Sequence, residues 1–142
     1  MNIILVTTAK NLPPEPLGDQ TKELRVRCIA LPGADLAELD THFVHMPQSG
    51  AARVGNRISS ALQGNAVLRM ILRISPLDAG ARFWRALRRD KQVSSFLDGT
   101  DLLVAVDRDT NLACWQLARR TGFPAVSGLA AARQEISRRN MR

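Results

Sequence analysis

Asp107 closes the apolar run Leu102 to Val106, and a carboxylate at a strand end can serve as a general base or as the acceptor that starts the next helix. It is the one weak catalytic candidate. The combinations that chemistry usually needs are missing from the sequence: there is no Gly-x-Ser-x-Gly turn, no cysteine with a matched histidine, and no carboxylate set at metal-ligand spacing. His42 and His45 are the only histidines, and three residues apart in a strand they project to opposite faces. They read as structural residues, and no metal is expected. Cys28 and Cys114 lie in apolar stretches and read as small buried hydrophobes with no disulfide framework.

Arginine carries a second kind of chemistry. The net charge is +7, and 17 of the 20 basic residues are arginine. Residues 1–50 sum to −2, residues 51–100 to +6 and residues 101–142 to +3, so the charge is concentrated in the middle of the chain. Within Asp78 to Asp90, Arg82, Arg85 and Arg89 share one ridge of a helix, Phe83, Trp84 and Leu87 share another, and Arg88 widens the basic face. Such a surface suits an anionic membrane, a phosphate ligand or nucleic acid, or is simply solvated. Arg53 with Arg57 and Arg69 with Arg73 add i, i+4 pairs, and Arg138, Arg139 and Arg142 form a basic tail.

The elements that must position these groups follow from periodicity. Asn2 to Thr7 is a continuous β-branched apolar run, the pattern of a central strand buried on both faces. No Gly-x-Gly-x-x-Gly or Walker-type loop follows it; Thr8 to Asn11 lead into the proline-stiffened Leu12 to Pro16, so no nucleotide cofactor is expected. Leu24 to Leu31 alternates, with Arg25 and Arg27 opposite Val26 and Cys28, and predicts a half-exposed strand near an edge. A turn of helix over Asp35 to Leu39 precedes a third strand at Thr41 to Met46. A long helical stretch, Ala51 to Ile74, is interrupted at Gly64 and Asn65. Short helix Gln92 to Leu97 leads to strand Leu102 to Val106. Asp109 or Thr110 caps the next helix, which places Leu112, Trp115 and Ala118 against the sheet and ends at Gly122. Phe123 to Val126 reads as a short buried strand and Leu129 to Arg139 as the last helix.

Strands alternating with helices call for an α/β domain: a mostly parallel sheet of about five strands with helices on both faces. A chain of 142 residues suits one domain, 1–142, and 45% hydrophobic with 23% charged residues is an ordinary globular composition. No apolar run reaches the roughly 18 residues of a membrane span, and Ile3 to Val6 is too short for a signal-peptide core. A cytoplasmic location is expected, with peripheral membrane contact open to the basic helix. Ligands of such sheets collect at the carboxyl ends of the strands. That rim gathers Thr7, Thr8, Ser49, Gly50, Asp107, Arg108, Ser127 and Gly128, with Gly50 and Gly128 placed to offer helix N-terminal amides to an anion, and Gly128 to allow close backbone approach.

The run DLLVAVDRDTNLACWQLARRTGFPAVSGLAAA, the opening NIILVTT and the helix FWRALRR together resemble the N-terminal, acceptor-side Rossmann-like domain of GT-B type glycosyltransferases, especially family 4-like bacterial ones. The likeness covers most of the chain and rests on hydrophobic patterns. It implies an acceptor-binding half whose basic aromatic helix approaches a membrane or a lipid-linked acceptor. In that family the nucleotide-sugar site, with its paired glutamates, belongs to a C-terminal half. The resemblance therefore implies a fragment, subunit or non-catalytic relative that binds an acceptor or a protein partner and does not transfer sugar alone. The residues by themselves equally support a small basic α/β module for nucleic acid or phosphorylated ligands, or an assembly protein.

Overall fold

The computed structural model describes residues 1–18, 24–36, 39–47 and 78–141. The expected helical stretch Ala51 to Ile74 and the rim candidates Ser49 and Gly50 lie outside the described residues. Five strands, β1 (Asn2–Val6), β2 (Arg25–Ala30), β3 (Asp40–Phe43), β4 (Leu102–Ala105) and β5 (Ala125–Ser127), form one parallel sheet in the order β3-β2-β1-β4-β5. Helices cover both faces, which makes the fold α/β and Rossmann-like.

The central strand explains the layering. From Ile3 to Val6, β1 is wholly buried, because alternate side chains serve opposite cores. Ile4 and Val6, with Leu103 and Ala105 of β4, pack with α1 (Ala79–Arg89), α2 (Gln92–Phe96) and α3 (Asn111–Thr121). Ile3 and Leu5, with Leu102 and Val104, pack with Ala132 and Ile136 of α4 (Leu129–Asn140). The start of α1 is fixed by Asp78, whose Oδ2 accepts from the amides of Gly80 at 3.0 Å and Ala81 at 3.3 Å.

Several sequence expectations change in three dimensions. The second strand is interior, between β1 and β3, and Arg27 is buried. Its guanidinium lies 5.0 Å from the Phe96 ring centroid and donates to the Asp98 carbonyl at 3.1 Å, so a tertiary aromatic makes an inward arginine tolerable. Strand β5 is an edge strand with Ala125 and Ser127 exposed. On α3, Ala113, Cys114 and Leu117 face inward, while Leu112 and Trp115 are 37% and 52% exposed. Small residues let α3 approach the sheet and α1 closely, and the indole is turned out. Asp35 pairs with Asn11 in an isolated bridge instead of starting a helix, and residues 37–38 lie outside the described residues.

Close backbone approach occurs at Gly80, not at Gly128. A Cβ on Gly80 would lie 2.8 Å from the Asp109 carbonyl oxygen, whereas one on Gly128 would meet nothing within 4 Å. Gly128 is needed instead for its φ of 88° and ψ of 149°, a conformation costly for side-chain-bearing residues. Gly80→Ala, which in an open helix gains about 0.5–1 kcal/mol, should here destabilise by about 1–3 kcal/mol. Gly128→Ala should lose about 1–3 kcal/mol through strain alone. Urea denaturation of both variants checks the pair.

Candidate functional site

Strand order reverses direction about β1, so a crevice opens between the carboxyl ends of β1 and β4. Thr7, Thr8 and Asp107 meet there. Thr7 Oγ1 donates to Asp107 Oδ2 at 2.9 Å, the Thr8 amide to the same oxygen at 2.6 Å, and Thr8 Oγ1 to Oδ1 at 3.0 Å. The Thr110 amide adds a fourth bond to Oδ1 at 3.2 Å, and Thr110 Oγ1 donates to the Asp107 carbonyl at 2.8 Å. Asp107 thus caps a 3-10 turn, Arg108–Thr110, that leads into α3. The expected caps differ in role: Thr110 occupies the N-cap position of α3 but its side chain accepts from no helix amide, and the capping acceptor is Asp107, one 3-10 turn earlier.

Along the rim, Ser127 Oγ donates to Asn111 Oδ1 at 2.7 Å, and the Gly128 amide donates to the Ala105 carbonyl at 2.8 Å. That amide is therefore spent internally and is not offered to an anion. Arg108 is exposed. Burial, and then the negative charges of Asp78 and Asp107, push the Asp109 carboxyl above its ordinary range. Beside the crevice, Asn111, Trp115, Ala118 and Ser127 line a hollow of about 230 Å³.

The four arginines of α1 separate. Arg82, Arg85 and Arg89 line one recess with Met46 and Pro47, of about 190 Å³. Arg88 lines a different one, of about 310 Å³, beside Trp84, Asp90 and Arg120. Arg88 therefore does not widen the basic ridge; the next-door position turns it away. Phe83 and Trp84 are buried in the core, so the apolar side of α1 is already covered by protein. Arg119 and Arg120 lie 4.9 Å and 4.8 Å over the rings of Trp115 and Trp84. In the tail, Glu135 accepts from Arg138 and Arg139, and these bonds hold its carboxyl below the ordinary range.

His42 Nε2 lies 2.7 Å from Asp90 Oδ2, and its ring is 5.5 Å from that of Phe96, while His45 is exposed. The two histidines do not converge, and among the described residues no three His, Cys, Asp or Glu side chains are grouped to hold a metal. Burial raises the Asp90 carboxyl, but the hydrogen bonds with His42 and from the Gln92 amide outweigh it and leave the pKa below its ordinary value. A carboxyl lowered on folding contributes stability that is whole above the unfolded value of about 4 and is lost as pH falls through the folded value. Asp90→Asn should accordingly flatten the acid limb of the stability profile below about pH 4, as read from urea midpoints. Burial pushes both thiols, Cys28 and Cys114, up to about 12.

Sequence reasoning missed Trp115 and Asn111 as rim residues, because a tryptophan at helical spacing reads as core and a lone asparagine in a first helical turn carries no signal of its own. It missed Gly80 because close approach leaves no mark in one sequence. No helix among the described residues is long and apolar enough to cross a membrane. Comparison with protein-family models, curated proteins and solved structures finds no match to this chain.

Proposed function

We propose that the chain is an acceptor-side binding domain of the kind found in two-domain glycosyltransferases, holding a hydroxyl-rich acceptor at its rim and not forming a complete catalyst alone. The observation that carries this reading is the hollow of about 230 Å³ where a half-exposed Trp115 stands beside Asn111 and Ser127. An aromatic plane packs against the C–H face of a sugar ring, and the adjacent amide and hydroxyl bond to its hydroxyl groups. Asp107 supports a binding role as well, since a base needs a lone pair aimed at the substrate proton and this carboxylate is engaged by four internal donors.

Titration of ¹⁵N-labelled protein with neutral mono- and disaccharides tests the reading. Saturable shifts at the amides of Asn111, Trp115 and Ser127, lost in Trp115→Ala, are expected. Absence of any rim response, or turnover of a nucleotide sugar by the purified chain, would count against it.

A further inference from the structure

We infer that the recess of about 310 Å³ between α1, α2 and α3 is a binding site for a free α-amino acid with a large apolar side chain. Of its lining residues, Asp98 leads towards β4 and Phe123 towards β5, so the recess lies at the amino ends of the strands, away from the rim. It stands whether or not the rim takes a sugar.

The walls carry both signs of charge around an apolar floor. Trp84 and Leu87 of α1, Val93 and Leu97 at α2 and Leu117 of α3 are buried and form that floor with Phe123. Arg88 comes from α1 and Arg120 from α3, whereas Asp90 and Asp98 flank α2. The cations therefore belong to the seam between α1 and α3, and the anions to the two ends of α2. Three of the four charged residues are anchored. Arg120 lies 4.8 Å over the Trp84 ring, and a guanidinium resting on an indole is oriented by a contact that leaves its forked donors for a ligand. Asp90 Oδ2 lies 2.7 Å from His42 Nε2, and Oδ1 accepts from the Gln92 amide at 2.9 Å. Asp98 is held through its backbone, its amide donating to the Ser95 carbonyl at 3.3 Å and its carbonyl accepting from Arg27 at 3.1 Å. Anchored walls lower the ordering cost of binding.

Charge complementarity selects the ligand. An anion alone would sit against Asp90 and Asp98, and a cation alone against Arg88 and Arg120. An uncharged apolar molecule would strip water from all four without replacing it. An α-amino acid carries a carboxylate and an ammonium on one carbon, together with a side chain. The carboxylate matches the guanidinium forks in charge-assisted bonds, the ammonium pairs with the Asp98 carboxylate, and the side chain covers the floor. At about 310 Å³ the recess lies at the lower end of the range of about 300–1,000 Å³ for small-molecule sites, and suits one such molecule. An internal segment of a partner protein has an uncharged backbone and leaves both walls unpaired.

Calorimetric titration of the whole chain with L-leucine and L-phenylalanine tests the site. N-acetyl-L-leucine, which lacks the ammonium, and L-leucinamide, which lacks the carboxylate, serve as single-charge controls. Saturable binding of L-leucine or L-phenylalanine is expected, and each control should bind about tenfold more weakly than L-leucine or worse. Arg88 and Asp98 are exposed, so Arg88→Gln and Asp98→Asn can be made without disturbing the core. Each should weaken amino-acid binding about tenfold, and Arg138→Gln should leave it unchanged. Equal urea midpoints would establish that the variants fold. No saturable binding of either amino acid would overturn the assignment, as would binding that survives the Arg88→Gln/Asp98→Asn double variant. N-acetyl-L-leucine or L-leucinamide binding as tightly as L-leucine would also overturn it, by showing that one charge alone is recognised.

Discussion

Asp107→Ala is expected to lower the stability of the chain by about 3 kcal/mol, the largest loss from any polar substitution at the rim. The carboxylate accepts four hydrogen bonds, and two of its donor residues, Thr7 and Thr110, are wholly buried. Bonds to a charged acceptor contribute about 1.5–3 kcal/mol each, but they are not additive, and water reaches the half-buried rim to replace some of them. Against a total of about 5–15 kcal/mol for a domain, the loss is large. Asp107→Asn keeps one acceptor oxygen and should lose roughly half as much. Urea denaturation measures both, and an Asp107→Ala change within about 0.5 kcal/mol of wild type would show that the carboxylate does not hold the crevice.

Phe83→Ala is the second large effect, expected at about 3–5 kcal/mol. Phe83 is wholly buried, and its removal leaves a cavity in the core cluster that it shares with Ile4, Val6 and Leu103 of the central strands. Trp115→Ala sets the contrast. Trp115 is 52% exposed, and its ring meets Arg119 at 4.9 Å, an exposed cation–π contact of about 0.5–1 kcal/mol. Its loss should cost about 1 kcal/mol or less. The variant therefore leaves the fold in place and removes the rim's aromatic plane, which is why it discriminates binding from folding.

The two residues also show where sequence reading succeeds and where it stops. Strands β1 and β4 were legible because a strand buried on both faces is apolar at every position, and Ile3 to Val6 and Leu102 to Ala105 are. The left-handed cap at Gly122 was legible for a similar local reason, since few other residues adopt its φ of 76°. On α3, however, two stripes compete, and only tertiary packing decides that Ala113, Cys114 and Leu117 face inward and Trp115 outward. Arg27 reads as a surface residue until Phe96, distant in sequence, provides its stacking partner. The basic ridge of α1 was legible in its spacing, but its division into Arg82, Arg85 and Arg89 on one side and Arg88 on the other depends on what packs beside the helix. Of the site, the pairing of strand ends with Thr7, Thr8 and Asp107 was legible from topology, and the hydrogen bonds that occupy Asp107 were not.

Those bonds decide whether the crevice is a held binding surface or a place where Asp107 reacts. Hydrogen exchange of the Thr8 amide in the native chain tests this most directly, because that amide donates to Asp107 Oδ2 at 2.6 Å. Slow exchange of Thr8, accelerated in Asp107→Ala while the amides of β1 stay protected, is the result predicted. Rapid exchange of Thr8 in the native chain would mean that the carboxylate is free, and would contradict a crevice held by Asp107.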